Sequence, residues 1–185
     1  MRKKITLFTL TILFISAGLA HARVTLEYSS RGVEYFTLTI QDEWQVNVGS
    51  EFPQSPDEDS DKTGRARLIS AMPNDGMPLW FGLWVPEALK NIEGAEEYIA
   101  SLGLDLLSNF VTAERRFDTI NAMNVLYVSG TGKKDDEIMD LHAVFYQISP
   151  EHVAIAVYIG PPETTEQHGA DLAEMIHSLH AVTRQ

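Results

Sequence analysis

The chain has 185 residues, and its 14 lysines and arginines against 26 aspartates and glutamates leave a formal charge of −12. Such acidity repels nucleic acid and anionic membrane surfaces, which excludes both as partners held by charge. No cysteine occurs, so disulfides, thiolate nucleophiles and cysteine-ligated metal sites are excluded too.

Arg2, Lys3 and Lys4 form a basic opening, Ile5 to Ala17 an apolar core, and Ala20-His21-Ala22 a small-residue cleavage site. This is the pattern of a secretory signal peptide, with an apolar run too short for a comfortable membrane span. Residues 1–22 are therefore expected to be removed, leaving residues 23–185 as one exported domain, periplasmic or secreted. Removal takes away three cations and no anions, making the chain more acidic still. No cysteine stands after the leader to carry a lipid anchor, and a cysteine-free exported protein suits the bacterial periplasm.

Along the remaining chain, Val24, Leu26 and Tyr28 alternate with polar residues as a strand would. Arg31-Gly32 turns, and Phe36, Leu38 and Ile40 mark the next strand face. Trp44, Val46 and Val48 repeat at every second position. From 50 to 64 the pattern stops: Pro53, Pro56 and the acids between Glu51 and Asp61 make a solvated loop. Order returns over Arg65–Met72, and Pro73-Asn74-Asp75-Gly76 is a strong turn signal. Leu79, Phe81, Leu83 and Val85 then define one strand face, with Trp80, Gly82 and Trp84 on the other.

Ala95, Tyr98, Ile99, Leu102, Leu106 and Phe110 recur at helical spacing, with Glu96 and Glu97 suited to the positive end of the helix dipole. Thr112 to Phe117 reads as a strand, and Asn121-Ala122 as a turn. Three strands follow as an antiparallel meander: Met123–Ser129, Ile138–Ile148 and His152–Ile159. The first is expected to turn at Gly130-Thr131-Gly132 and the second at Ser149-Pro150-Glu151. Neither face of the last two strands is polar, so both faces should be covered. A final helix is expected after Pro161-Pro162, with Thr164 and Gln167 at capping-box spacing and Leu172, Met175, Ile176 and Leu179 as its apolar stripe. The fold class is therefore α+β: a single domain with a mostly antiparallel sheet covered by helices.

The order of these elements resembles the PsbP-like α/β/α sandwich group, which includes the extrinsic protein of photosystem II and small periplasmic proteins of DcrB type. Trp44 after an alternating strand, the Ala95–Phe110 helix, the strands of Val125 and Val153, and the closing Met175-Ile176-His177-Ser178-Leu179 carry the resemblance. It implies an accessory or binding role without catalysis.

Four constellations bear on chemistry. Asp57, Asp59 and Asp61 have the alternate spacing of calcium-loop ligands. Lys62 and Leu68 stand where such a loop needs glycine and a bidentate glutamate, so a weakly held divalent cation is the most this loop offers. Asp171, Glu174, His177 and His180 recur at every third position of the expected last helix, with His177 and His180 close enough to share a metal given a third ligand. His142 shares strand parity with Asp140 and Tyr146, the one grouping suited to acid–base work. Trp80 and Trp84 share a face across Gly82, which leaves room for a flat group against the sheet.

The expected function is thus an exported binding or accessory module without a cofactor. Its ligand- or partner-binding candidates are Trp80, Trp84, Tyr146 and His142, and its partner a protein or a small apolar ligand. The alternative is a periplasmic hydrolase or metal-dependent enzyme using His142 or the His177 and His180 pair.

Overall fold

The computed structural model describes residues 23–30, 33–52 and 66–182. Strands β1 (Arg23–Ser30), β2 (Val33–Gln41) and β3 (Trp44–Phe52) come first, then β4 (Ala66–Pro73) and β5 (Trp80–Trp84). A short 3-10 turn at Ile92–Gly94, capped by the Asn91 side chain, leads into helix α1 (Ala95–Leu106). The meander follows as β6 (Ser108–Ile120), β7 (Met123–Lys134), β8 (Glu137–Ser149) and β9 (His152–Gly160). Helices α2 (Pro162–Gln167) and α3 (Gly169–His177) and the two-residue strand β10 (His180–Ala181) are the last of the described elements.

Two antiparallel sheets result. The larger has seven strands in the order β3-β4-β5-β9-β8-β7-β6, and the smaller has three in the order β1-β2-β10. Period-two alternation sends each strand's side chains to both faces of the large sheet. On one face Leu126, Phe145, Ile155, Val157 and Trp84 pack against Ile99 and Leu102 of α1. On the other, Ile69, Phe81, Leu83, Val144 and Tyr146 pack against Phe36, Leu38 and Ile40 of β2 and Leu172, Met175 and Ile176 of α3. Two apolar cores therefore lie one on each side of β5, β9 and β8. This explains why neither face of β8 or β9 reads as polar.

The architecture corrects the expected helical cover. One face is covered by α1, but the other is covered mainly by the small sheet, with α3 beside it. β1 and β2 have only one truly apolar face each, and burying it against the large sheet satisfies them without a helix.

Three local expectations also change. Gly130 and Gly132 do not turn the chain but lie inside β7. A Cβ at Gly130 would stand 2.3 Å from the Val111 carbonyl oxygen, and one at Gly132 2.8 Å from Leu107 Cβ, so these glycines admit the close approach of β6 and its lead-in. The turn comes instead at Asp135-Asp136, with φ of 52° and 69°. It matches Asn121-Ala122, at 48° and 63°, as a two-residue hairpin of type I′. The expected last helix is broken at His168 into α2 and α3. Pro161, not Thr164, stands at the cap of α2, and no side chain makes a capping bond there; Thr165 Oγ1 instead donates to the Pro162 carbonyl at 2.9 Å. The first helix is also shorter than expected: it ends at Leu106, and Phe110 already belongs to β6.

Candidate functional site

The small sheet and α3 leave part of the large sheet's second face open above β6, β7 and β8. There the register sets side chains in transverse rows. Glu114 pairs with Ser129, Ser129 with His142, and His142 with Tyr158, so one row crosses four strands. The next row runs Arg116, Tyr127, Val144, Ala156. All face the same way, and with α3 above them they enclose a cleft of about 240 Å³ whose upper wall is Gly169, Ala173, Ile176 and His177.

The upper wall is anchored. Tyr146 donates its hydroxyl to the Ile176 carbonyl at 3.0 Å, and Asn121 Nδ2 donates to the carbonyls of His177 and Leu179 at 2.9 and 2.7 Å. Ser178 Oγ accepts from Thr39 N–H at 3.0 Å, and Gln41 Nε2 donates to Glu174 at 2.6 Å. Fixed at its end by β2, by a core tyrosine and by the β6–β7 turn, α3 holds the cleft open at a set width.

Inside, the His142 ring stacks on Tyr158 with centroids 4.5 Å apart and planes 9° apart. Because Ser129 flanks His142 on the other side of the row, the free face of the imidazole looks over that small residue. Arg116 lies over the Tyr127 ring at 4.6 Å and is flanked by Glu114 at 3.7 Å and Asp118 at 3.5 Å, so its charge is already matched. Burial lowers the pKa of His142 from 6.5 against the upward pull of Asp140 and Glu114. Burial also raises Tyr158, to about 12, with Asp140 and Tyr127 adding to the shift.

Asp140 stands two residues before His142 on the same face, as read from the sequence, but it accepts a hydrogen bond from Thr165 Oγ1 at 3.0 Å and acts on His142 only through space. Tyr146 shares the parity yet is fully buried beneath α3, a core residue and not a lining one. Trp84 is 1% exposed and donates its indole N–H to Tyr98 at 3.1 Å, so it is a core residue. Trp80 is the half-buried one, its ring folded over Gly82 on the α1 face. The helical row of acids and histidines ends at His177, because α3 ends there. His180 lies in β10, exposed, its ring bonded to the Ser178 carbonyl at 2.8 Å. Among the described residues no three histidine, aspartate or glutamate side chains are grouped to hold a metal. Asp57, Asp59 and Asp61 lie outside the described residues.

Arg116, Tyr127, Ser129 and Tyr158 are the cleft residues that the sequence reading did not reach. The alternation in β6, β7 and β9 gave their parity, but the rows depend on register, which the two type I′ turns set from β6 to β8 and the Ser149–His152 connection sets from β8 to β9.

No family model and no curated protein sequence matches the chain. Solved structures do. A cyanobacterial PsbP from Synechocystis, 8% identical, is matched over 90% of this chain and 96% of its own, with a TM-score of 0.57. LpqN of Mycobacterium tuberculosis, described as involved in cell envelope biogenesis, is 10% identical, with 87% and 92% covered and a TM-score of 0.48. A protein of unknown function from Pseudomonas aeruginosa is 17% identical, with 87% and 98% covered and a TM-score of 0.47. The likeness to the cyanobacterial protein shows the fold: the chain has a PsbP-like architecture.

Proposed function

We propose that this chain is an exported binding module, without catalysis, that receives an uncharged group of a partner protein or a small uncharged ligand in the cleft beneath α3. One observation carries the reading. Ser129, His142, Tyr127 and Tyr158 all line the cleft, and none of their side-chain polar groups is hydrogen bonded to another described residue. Uncommitted donors and acceptors gathered beside aromatic rings are what a specific pocket supplies to an incoming group. Carboxylates at Glu114, Asp118 and Asp140, and the −12 charge of the whole chain, disfavour an anion.

The same site argues for binding over hydrolysis. Ser129 neighbours His142 across β7 and β8, yet no hydrogen bond joins them among the described residues. A serine with no base on its hydroxyl is not an activated nucleophile. Export is supported by Arg2, Lys3 and Lys4, the apolar run to Ala17, and Ala20-His21-Ala22.

Fragment screening by NMR tests the reading, with the ring protons of His142 and the amides of Tyr127 and Ser129 as reporters. Uncharged ring compounds are expected to shift these signals. Ser129→Phe, which fills the floor of the cleft, should abolish the shifts while leaving the spectrum of a folded protein. A screen in which no compound moves these residues, or in which the filled variant responds as strongly, defeats the proposal.

A further inference from the structure

β6 is the outer strand of the seven-stranded sheet. Its ladder with β7 runs unbroken from the Glu114–Ser129 pair to the Ile120–Met123 pair, between a bulge on one side and the Asn121-Ala122 turn on the other. In a two-residue hairpin the residues flanking the turn exchange hydrogen bonds. Counting back from Ile120, Asp118, Arg116 and Glu114 bond to β7, while Arg115, Phe117 and Thr119 turn their N–H and C=O groups outward. The Thr119 N–H agrees with this parity: it bonds the Asp118 carboxylate at 2.8 Å. A seven-residue edge with outward backbone groups is a template for another strand.

We propose that a second copy of this chain pairs there, antiparallel, with a two-fold axis at Phe117. The charges select the occupant and the register. Outward-turned residues must face outward-turned residues, so the axis falls on a residue and not between two. An axis at Arg116 or Asp118 sets like charges opposite each other. One at Arg115 opposes two guanidinium groups and runs into the bulge, and one at Thr119 runs past the turn. An axis at Phe117 sets each Arg116 opposite Asp118 of the second copy, Arg115 opposite Thr119, and Glu114 opposite Ile120. It is also the midpoint of the unbroken run.

The details favour that seam. The two Arg116–Asp118 pairs occupy positions without mutual backbone bonds, where opposing side chains stand closest. On the opposite face Phe117, 57% exposed in the single chain, meets its own copy, with Arg115 lying over the ring at 5.1 Å. Edge strands that repel copies carry charges of one sign; this one carries charges that match themselves in a single register. Pairing moves the Thr119 N–H from Asp118 Oδ1 to the Arg115 carbonyl of the second copy and frees that oxygen for Arg116 of the second copy, while Oδ2 stays beside its own Arg116. Both clefts then open on one face of a continuous sheet.

Sedimentation equilibrium of the purified protein tests this, with folding of each variant checked by circular dichroism. The wild type is expected to form a reversible dimer. Arg116→Asp and Asp118→Arg should each weaken association by about tenfold or more, since each turns two attractive pairs into repulsive ones. The double swap should restore it. Phe117→Cys, in a chain with no other cysteine, should be joined to its copy by a short bismaleimide, whereas Ile138→Cys, equally exposed on a different strand, should not. A monomer at every concentration overturns the proposal. So does a dimer that ignores the single charge reversals or crosslinks as readily through position 138.

Discussion

Trp84 and Tyr98 are joined indole to hydroxyl at 3.1 Å, which ties β5 to the buried side of α1. Trp84 is buried and Tyr98 partly so, and burial raises the Tyr98 pKa although the bond to Trp84 opposes this. Replacing Trp84 with alanine removes a large core side chain and leaves the Tyr98 hydroxyl without this partner, so it should cost about 3–5 kcal/mol. Trp80→Ala, at a half-buried ring that lies over Gly82, should cost less than half as much. Urea melts of the two variants followed by circular dichroism check the order; equal losses would contradict it.

Tyr146→Phe keeps the ring in the core and deletes only the hydroxyl that bonds the Ile176 carbonyl. That carbonyl ends α3 and stays buried, so the expected loss is about 1–3 kcal/mol. The same change should loosen α3 over the cleft, read as faster amide exchange in Ile176 and His177 with the β8–β9 amides unaffected.

Ala122→Gly should stabilise the protein. Ala122 sits at φ 63°, in the left-handed region that costs a residue with a Cβ about 1–2 kcal/mol, and Asn-Gly is the favoured pair for this turn. Part of the gain is offset by the greater freedom of glycine in the unfolded chain, leaving about 0.5–1 kcal/mol. A lower midpoint in the melt would contradict the turn assignment.

The pH dependence of stability should carry two signatures. Burial holds the His142 pKa below 6.5, so between that lowered value and 6.5 the unfolded chain binds more protons than the folded one. Stability contributed here is complete above 6.5 and is lost as the pH falls through the window. Relative to the wild type, His142→Gln should flatten the acid side of the profile. Tyr158 behaves oppositely: its pKa rises from 10.0 to about 12, so the unfolded chain loses this proton first and stability falls as the pH rises across that interval. Tyr158→Phe should flatten the alkaline side.

The proposed leader predicts that material recovered from outside the cytoplasm begins at Arg23, as read by N-terminal sequencing. A product that keeps Met1 and stays in the membrane fraction would replace a cleaved leader with an anchor.

What could be read from the residues alone follows from the range over which each signal acts. Alternation is local, so β9 and both faces of β8 were legible from Val153 to Ile159 and from Met139 to Tyr146. Asn121-Ala122 was legible because its turn chemistry lies in two adjacent residues. Gly130 and Gly132 misled for a physical reason: glycine marks both turns and close approaches, and only the neighbouring Val111 carbonyl decides between them. His142 was found by its type and parity. Its real neighbours, Tyr158 and Ser129, lie 16 and 13 positions away and are brought beside it by hairpin register. β10 was invisible, since two residues hold no periodicity and owe their strand to β2 alone.

That last pairing bears on how the chain comes to be folded. The meander from β6 to β9 is built of hairpins between consecutive strands, contacts that form quickly because little chain must be closed for each. β2 is different: one side meets β1 at once, and the other waits for His180 and Ala181, while Thr39 and Ser178 find each other across 139 positions. A chain delivered N-terminus first therefore presents β1 and β2 long before their cover exists. Until the final residues arrive, the apolar face of β2 has nothing of α3 to rest on. So distant a contact should close late, and Ser178→Ala, which removes the bonds to Thr39, should lower folding yield more than its small buried surface suggests.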